Sequence, residues 1–236
     1  MGLQAQDVFR QVSSILQDNR ADNRRWPWYP EYDNGARVSD AITLADLANS
    51  AVRHTISVRP DASAVVKPIQ LVTGSRQSIP DDGISLLSVT RNLIHQGEEV
   101  FSPGTPVRQV ERTALDSFDD DWHMQEGTSI TNFVYEKLLD PRGFWVYPAV
   151  PEGDDVWIEI VYSALPDKVT EENGDIGLAG TYNMACVHHI LYQIYSGDSE
   201  DSSPQRAMVQ YQQFYNALEQ KMTVDMTYPL QQGQEG

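Results

Sequence analysis

The spacing of apolar residues changes along the chain, and this change limits the fold more than any other feature. Near both ends, apolar residues recur every three or four positions, which is the spacing of an amphipathic helix. In the middle they alternate with other residues, as a half-buried strand requires. The helical spacing predicts helices over residues 3–18, 40–54, 182–195 and 204–221.

Flanking residues predict where two of these helices begin. Ser39 or Asp40 would cap the second helix, because their side chains accept hydrogen bonds from free backbone N–H groups. Pro204 suits the first turn of the last helix, because proline lacks an N–H that would otherwise stay unpaired there. The last two helices should form a helical hairpin over residues 182–221.

The middle of the chain predicts strands. The period of two between Val156 and Leu165 is typical of a strand. Together with Phe144–Pro148 and an intervening turn, this strand predicts a β-hairpin over residues 144–165. Shorter β-branched runs predict further strands at residues 64–66, 69–72 and 84–89, with Pro68 between the first two.

These elements predict an α+β fold, with N- and C-terminal helices forming a helical bundle core and a central β-rich insertion. The predicted helical core comprises residues 1–60 and 175–221, and the β-rich region comprises residues 61–174. Residues 222–236 end in QQGQEG and should form a flexible tail. Because this tail contains six apolar residues, we expect it to become ordered by docking on another protein, and a frayed terminus is the alternative.

Charge excludes some partners. The chain carries 34 acidic and 17 basic residues, and residues 119–236 contain 20 of the acidic but only 5 of the basic ones. Such a surface repels nucleic-acid phosphates and anionic membranes. It is either a solvated acidic face or a surface that meets something negative without binding it.

Composition excludes further classes. A single cysteine, Cys186, rules out an intramolecular disulfide and a cysteine-built zinc site. No run of 18 apolar residues predicts a membrane span. The first ten residues contain no apolar run before a small-residue cleavage site, so we expect synthesis in the cytoplasm without a secretory signal.

No motif predicts a catalytic, cofactor-binding or metal site. Asp119–Asp121 beside His123 could hold a divalent metal or act as an acid–base pair, but consecutive residues point in different directions. A turn anchored by a buried Trp122, with His123 bonded to backbone, is favoured. Cys186 and His189 share a helix face without a third partner. The glycine run at 174, 177 and 180 follows an acidic loop rather than a strand.

Aromatic residues predict interfaces. Tryptophan dominates protein–protein anchor sites, and sugar binding is the alternative. Trp26 and Trp28 occupy a proline-rich loop, and Trp145 and Trp157 occupy the predicted hairpin. The predicted interface residues are Trp26, Trp28, Trp145, Trp157, Met226, Tyr228 and Leu230.

Several segments occur together in a recognisable order. The most specific are FWVYPAVP at residues 144–151 and EIVYSALP at residues 159–166. Others lie at residues 77–87, 89–92, 115–116, 122–123, 182, 191–196, 198–200, 211 and 214. Together they resemble the head-to-tail adaptor, or head completion, proteins of tailed bacteriophages.

The resemblance implies a structural virion protein in the neck of a phage particle. Such a protein joins the portal protein to a tail nozzle or tail tube protein, forms a ring (a dodecamer) and extends the DNA channel. Double-stranded DNA would pass without specific binding, and the C-terminal segment would dock on the portal. The alternatives are another tail component (tail tube or nozzle), a metal-dependent hydrolase using Asp119–His123, or a glycan-binding module.

Overall fold

The computed structural model describes residues 2–18, 20, 24–97, 100–171, 173–197 and 200–232, with side chains as far as residue 219. The chain divides into two compact units. Unit 1 consists of Met1–Ala62 and Pro166–Gly236, and unit 2 consists of Ser63–Leu165.

The elements follow one another in a mixed order. They are β1 (Gly2–Gln4), α1 (Ala5–Ile15), β2 (Tyr32–Asp33), β3 (Ala36–Arg37), α2 (Leu44–Val58), β4 (Ala64–Gln70), β5 (Gly74–Ser78), β6 (Gly83–His95), β7 (Phe101–Pro106), β8 (Arg108–Gln109), α3 (Arg112–Phe118), β9 (Asn132–Val134), β10 (Gly143–Val150), β11 (Trp157–Ala164), β12 (Asp175–Ala179), α4 (Asn183–Ser196) and α5 (Pro204–Gln232).

The first predicted helix begins later than its apolar spacing indicates. Gly2–Gln4 form β1, which pairs antiparallel with β12 through Gly2↔Ala179 and Gln4↔Asp175. Helix α1 follows and buries Val8, Phe9 and Val12 on one face. Leu3 therefore lies in the core as part of a strand. The residues on either side of it pair with β12, which is distant in sequence, rather than with a helical turn.

Helix α2 begins at Leu44, and the predicted caps Ser39 and Asp40 are wrong. Thr43 is the cap: its hydroxyl accepts the N–H of Asp46, and the Asp46 carboxylate accepts the N–H of Thr43 at 3.0 Å. This reciprocal capping box satisfies two backbone donors at once, which a lone Ser or Asp cap cannot do.

Unit 2 is built from two four-stranded sheets. One has the strand order β5-β10-β9-β8, and the other has the order β4-β11-β6-β7. Residues of both sheets share one buried apolar cluster, which includes Leu86, Phe144, Val146, Ile158 and Ile160. Burial of this inner surface is the main favourable term in the stability of such a sandwich.

The predicted hairpin over residues 144–165 is wrong. Strand β10 pairs with β5 and β9, whereas β11 pairs with β4 and β6. The two strands therefore belong to different sheets, and the turn between them carries the chain from one sheet to the other. Their alternating patterns predicted strands correctly, but such a pattern does not identify the neighbouring strand.

Pro68 does not interrupt the first predicted strand pair, which forms one strand, β4. This strand lies at the edge of its sheet, with β11 as its only neighbour in the sheet order, and Pro68 is aligned with Glu159. Proline is tolerated at an edge because one side of the strand needs no N–H donor.

The predicted fold class is also wrong. Over the described residues, five α-helices accompany twelve strands in four sheets, so the protein is a mixed α/β structure dominated by β-sheet rather than one with a helical bundle core. Terminal segments expected to be helical contribute β1 and β12, and Leu3, Ile176 and Leu178 from these strands lie in the unit 1 core. Helical spacing located helices without showing what they pack against.

Candidate assembly surface

Trp26 connects two distant loops of unit 1. Its indole N–H donates to the Asp201 carboxylate at 3.0 Å, and the Arg25 guanidinium donates to the other Asp201 oxygen at 3.0 Å. On the opposite side, buried Asp18 accepts the backbone N–H groups of Arg25 and Trp26, both at 3.0 Å. Both N–H groups of Trp26 are thus satisfied within the chain.

Trp28 anchors the same loop on α1. Its indole N–H donates to the Ser13 hydroxyl at 3.1 Å, and its ring meets Phe9 edge-on at 5.9 Å between centroids. The Arg24 guanidinium carbon lies 4.0 Å from the ring centroid, within the range of a cation–π contact. The interface roles of Trp26 and Trp28 stay predictions, and both side chains also stabilise the monomer.

Trp145 and Trp157 are half-buried on strands of different sheets. The Arg76 guanidinium carbon lies 4.2 Å from the Trp145 ring centroid. Trp157 lies against His95 and Phe101, with centroids 5.1 and 4.9 Å away. The structure therefore does not bring Trp145 and Trp157 together on one hairpin, and their interface roles stay predictions.

The remaining predicted interface residues belong to the last helix of the chain. Helix α5 extends over Pro204–Gln232, so residues 226, 228 and 230 continue the helix. The side chains of Met226, Tyr228 and Leu230 lie outside the described residues. Their role as interface residues stays a prediction.

The acidic turn at Asp119–Asp121 is organised around a tryptophan. Trp122 is buried, and its indole N–H donates to the Asp116 carboxylate at 2.8 Å. His123 stacks on Trp122, and its Nδ1 lies 3.2 Å from the Ser75 hydroxyl rather than bonding to backbone. Among the described residues, no group of three or more His, Cys, Asp or Glu side chains has an arrangement that could hold a metal.

Burial opposes a reactive pair at Cys186 and His189. Both side chains lie in the unit 1 core, where burial raises the pKa of the Cys186 thiol to about 12. Burial, reinforced by the charge of His54, lowers the pKa of His189 to about 4. A neutral thiol and a neutral imidazole result, the opposite of an activated cysteine.

Exposed apolar side chains mark a different region, which the sequence analysis missed. Four large apolar side chains of the described residues are more than three-quarters exposed, and all lie within a short stretch of unit 2. They are Phe118 (81%), Met124 (79%), Leu138 (99%) and Leu139 (79%). The adjacent leucines between two predicted strands were the available signal, but exposure depends on the folded structure.

Leu138 and Leu139 lie on a braced loop, residues 136–140, which we call the leucine loop. The Asp140 carboxylate accepts the N–H groups of Arg142 and Gly143, both at 3.0 Å, and pairs with the Arg76 guanidinium. The hydrogen bonds from those two N–H groups, and to a smaller extent the charges of the nearby cations, hold the pKa of Asp140 below its usual range. The loop is fixed at its base while its apolar tip faces water.

A small separate core supports Phe118 and Met124. Leu115, Trp122 and Val134 form a buried cluster that joins α3 and the acidic turn to β9. Phe118 ends α3, and Met124 lies in the 3₁₀ turn at Trp122–Met124. Both exposed side chains therefore project from ordered backbone rather than from a loose loop.

Exposed apolar side chains on ordered backbone indicate a protein that assembles with others. A family model described as SU10 adaptor protein matches residues 4–233, and the chain belongs to this family of phage adaptor proteins. The resemblance to phage adaptors is thereby confirmed. Membership makes the chain a structural component of a virion that interacts with other phage head or tail proteins. No curated protein matches the chain.

Over the part of the chain that the structure describes, no helix combines the length and apolar character needed to cross a bilayer.

Proposed function

We propose that the chain is a head-to-tail adaptor that joins the portal protein to the tail in the neck of the virion. The observation that carries this proposal is the family match over residues 4–233, nearly the whole chain. In this role, identical subunits form a ring, a dodecamer, that extends the DNA channel for genome retention and ejection. The other face of the ring contacts a tail nozzle or tail tube protein.

The distribution of ion pairs supports passage of double-stranded DNA without specific binding. Among the described residues, five of the seven cationic side chains between 63 and 165 form ion pairs with carboxylates of the chain: Lys67, Arg76, Arg91, Arg112 and Arg142. Phosphate binding depends on cations that displace counterions, and paired cations do this poorly. The role is mechanical and requires no catalytic residue.

The C-terminal segment fits a portal contact. Ala207, Phe214 and Leu218 bury one face of the first turns of α5, and the helix then continues to Gln232. Residues 222–236 add six apolar residues, Met222, Val224, Met226, Tyr228, Pro229 and Leu230. In the proposed assembly these residues dock on the portal.

Imaging a reconstituted complex tests the proposal. The purified chain is mixed with purified portal rings of the same phage and viewed by negative-stain electron microscopy. We expect a second ring on one face of the portal, absent from portal-only samples. If the chain binds neither portal rings nor tail protein in parallel sedimentation assays, the proposal is wrong.

A further inference from the structure

We propose that the leucine loop inserts into an apolar pocket, rimmed by lysine or arginine, on a different protein of the virion. The inference rests on the proposed function, because it names the surface and the partner chemistry through which the adaptor would attach. Its starting point is the exposure of Leu138 (99%) and Leu139 (79%) on adjacent positions of one loop.

The loop is pre-organised for insertion. Beyond the bonds made by Asp140, the Tyr135 hydroxyl and the Leu86 N–H both donate to the Pro141 carbonyl, at 3.0 and 2.9 Å. The Ile79 N–H donates to the Arg142 carbonyl at 3.0 Å. Binding therefore loses little further backbone freedom, which is the main cost of ordering a contact loop. Two apolar side chains held rigidly in water gain free energy only when a partner covers them.

The charge of this part of unit 2 selects the chemistry of that partner. Residues 118–142 contain six carboxylates and two cationic side chains, Lys137 and Arg142, and the two cations at the base of the loop, Arg76 and Arg142, already pair with Asp140 and Asp81. A pocket lined by neutral or acidic groups would bring like charges together or leave these carboxylates unpaired. A cationic rim complements them, speeds encounter and fixes orientation.

The same charges argue against a second copy as the occupant. Among the described residues, nine cationic side chains already form ion pairs with the chain's own carboxylates. Unit 2 as a whole contains 16 carboxylates against seven cations, so a neighbouring copy offers a poor cationic rim. The ring contacts of the proposed assembly would use other surfaces, and this loop would face the portal or the tail.

A double substitution tests the inference. Leu138→Ser with Leu139→Ser removes the anchor, and Val66→Ser with Val72→Ser is the matched control because these valines are also exposed in unit 2 (58% and 62%). Immobilised portal rings, tail protein and the chain itself serve as three separate probes. We expect the leucine variant to bind one of the first two at least about tenfold more weakly, as for a central interface anchor, with the control unchanged.

The outcomes separate the two proposals. If the unmodified chain binds neither portal nor tail protein, the proposed function fails and this inference fails with it. If the unmodified chain binds and the leucine variant binds equally well, the inference alone is overturned. Loss confined to self-association would overturn it too, because the occupant would then be a second copy.

Salt and charge substitutions test the rim. Binding of the unmodified chain should weaken as salt rises from about 0.05 to 0.5 M, since screening acts on exposed charges. Asp119→Asn with Asp120→Asn and Asp121→Asn should slow association and reduce that salt dependence. Salt-insensitive binding, or unchanged association of the triple variant, would contradict a cationic rim.

Discussion

The indole N–H of Trp26 donates a hydrogen bond to the carboxylate of Asp201, 3.0 Å away in space and 175 residues away in sequence. The bond joins the loop after α1 to the segment before α5, and Arg25 donates to the same carboxylate. Both partners lie in unit 1, so the position of α5 relative to α1 depends in part on this contact. A residue that the sequence analysis assigned to an interface is therefore also part of the monomer's own structure.

Replacing Asp201 tests this connection. Asp201→Ala removes both hydrogen bonds and leaves the indole N–H without its acceptor, so we expect a loss of about 1–2 kcal/mol in the free energy of unfolding. Chemical denaturation monitored by tryptophan fluorescence measures it. Asp167→Ala, an exposed carboxylate of the same unit, is the control and should change little. If the free energy of unfolding of Asp201→Ala equals that of Asp167→Ala and of the unmodified chain, the contact contributes nothing to stability.

The pH dependence of stability tests the buried histidine. His189 has a folded-state pKa of about 4, against about 6.5 for a solvated imidazole. The unfolded chain therefore takes up the proton first, so this contribution to stability is complete above about pH 6.5 and falls as the pH drops toward 4. The full difference corresponds to roughly 3 kcal/mol.

Denaturation midpoints at pH 7 and pH 5 measure this effect. Among the described residues, aromatic rings rather than carboxylates pack against His189: the His54 ring lies 4.8 Å away, and Tyr192 and Phe214 lie at 5.8 and 5.0 Å. His189→Leu should therefore flatten the dependence, whereas His123→Gln in unit 2 should preserve it. A wild-type midpoint that does not fall at pH 5 would contradict the prediction.

Asp46 organises the start of α2 and the hairpin before it. Its carboxylate accepts the N–H of Thr43 and pairs with Arg37 at 2.7 Å. Burial by itself would raise the pKa of Asp46, but the hydrogen bonds from Arg37 and Thr43 outweigh it and hold that pKa below its usual range. We expect Asp46→Ala to cost about 1–2 kcal/mol of stability.

Hydrogen exchange locates that effect. Amide protons of residues 32–37 and of the first turn of α2 should exchange faster in Asp46→Ala than in the unmodified chain. Asp33→Ala, on the exposed hairpin, serves as the control for loss of a carboxylate. Unchanged exchange in both segments would show that Asp46 does not hold them.

Truncation tests the portal contact of the C-terminal segment. Deleting residues 222–236 should weaken binding to portal rings, because the segment's apolar residues would no longer be available for burial. Sedimentation of truncated and full-length chains with portal rings measures the difference. Undiminished attachment of the truncated chain would exclude this role.

Local patterns predicted some elements well. The predicted helix at 182–195 corresponds to α4 (Asn183–Ser196), and Pro204 begins α5 as expected, because spacing and proline chemistry act over a few residues. The partners of β10 and β11 depend on strands far along the chain, which no local pattern encodes. The same holds for Trp26 with Asp201, and for the exposure of Leu138. Contacts between distant residues decide these features.

In vitro complementation tests the central claim, that this chain joins head to tail, most directly. DNA-filled heads assembled without the chain are mixed with isolated tails, with or without the purified protein, and infectious particles are counted. The account predicts that tails attach and infectivity appears only when the chain is added. Equal attachment and infectivity without it would contradict the account.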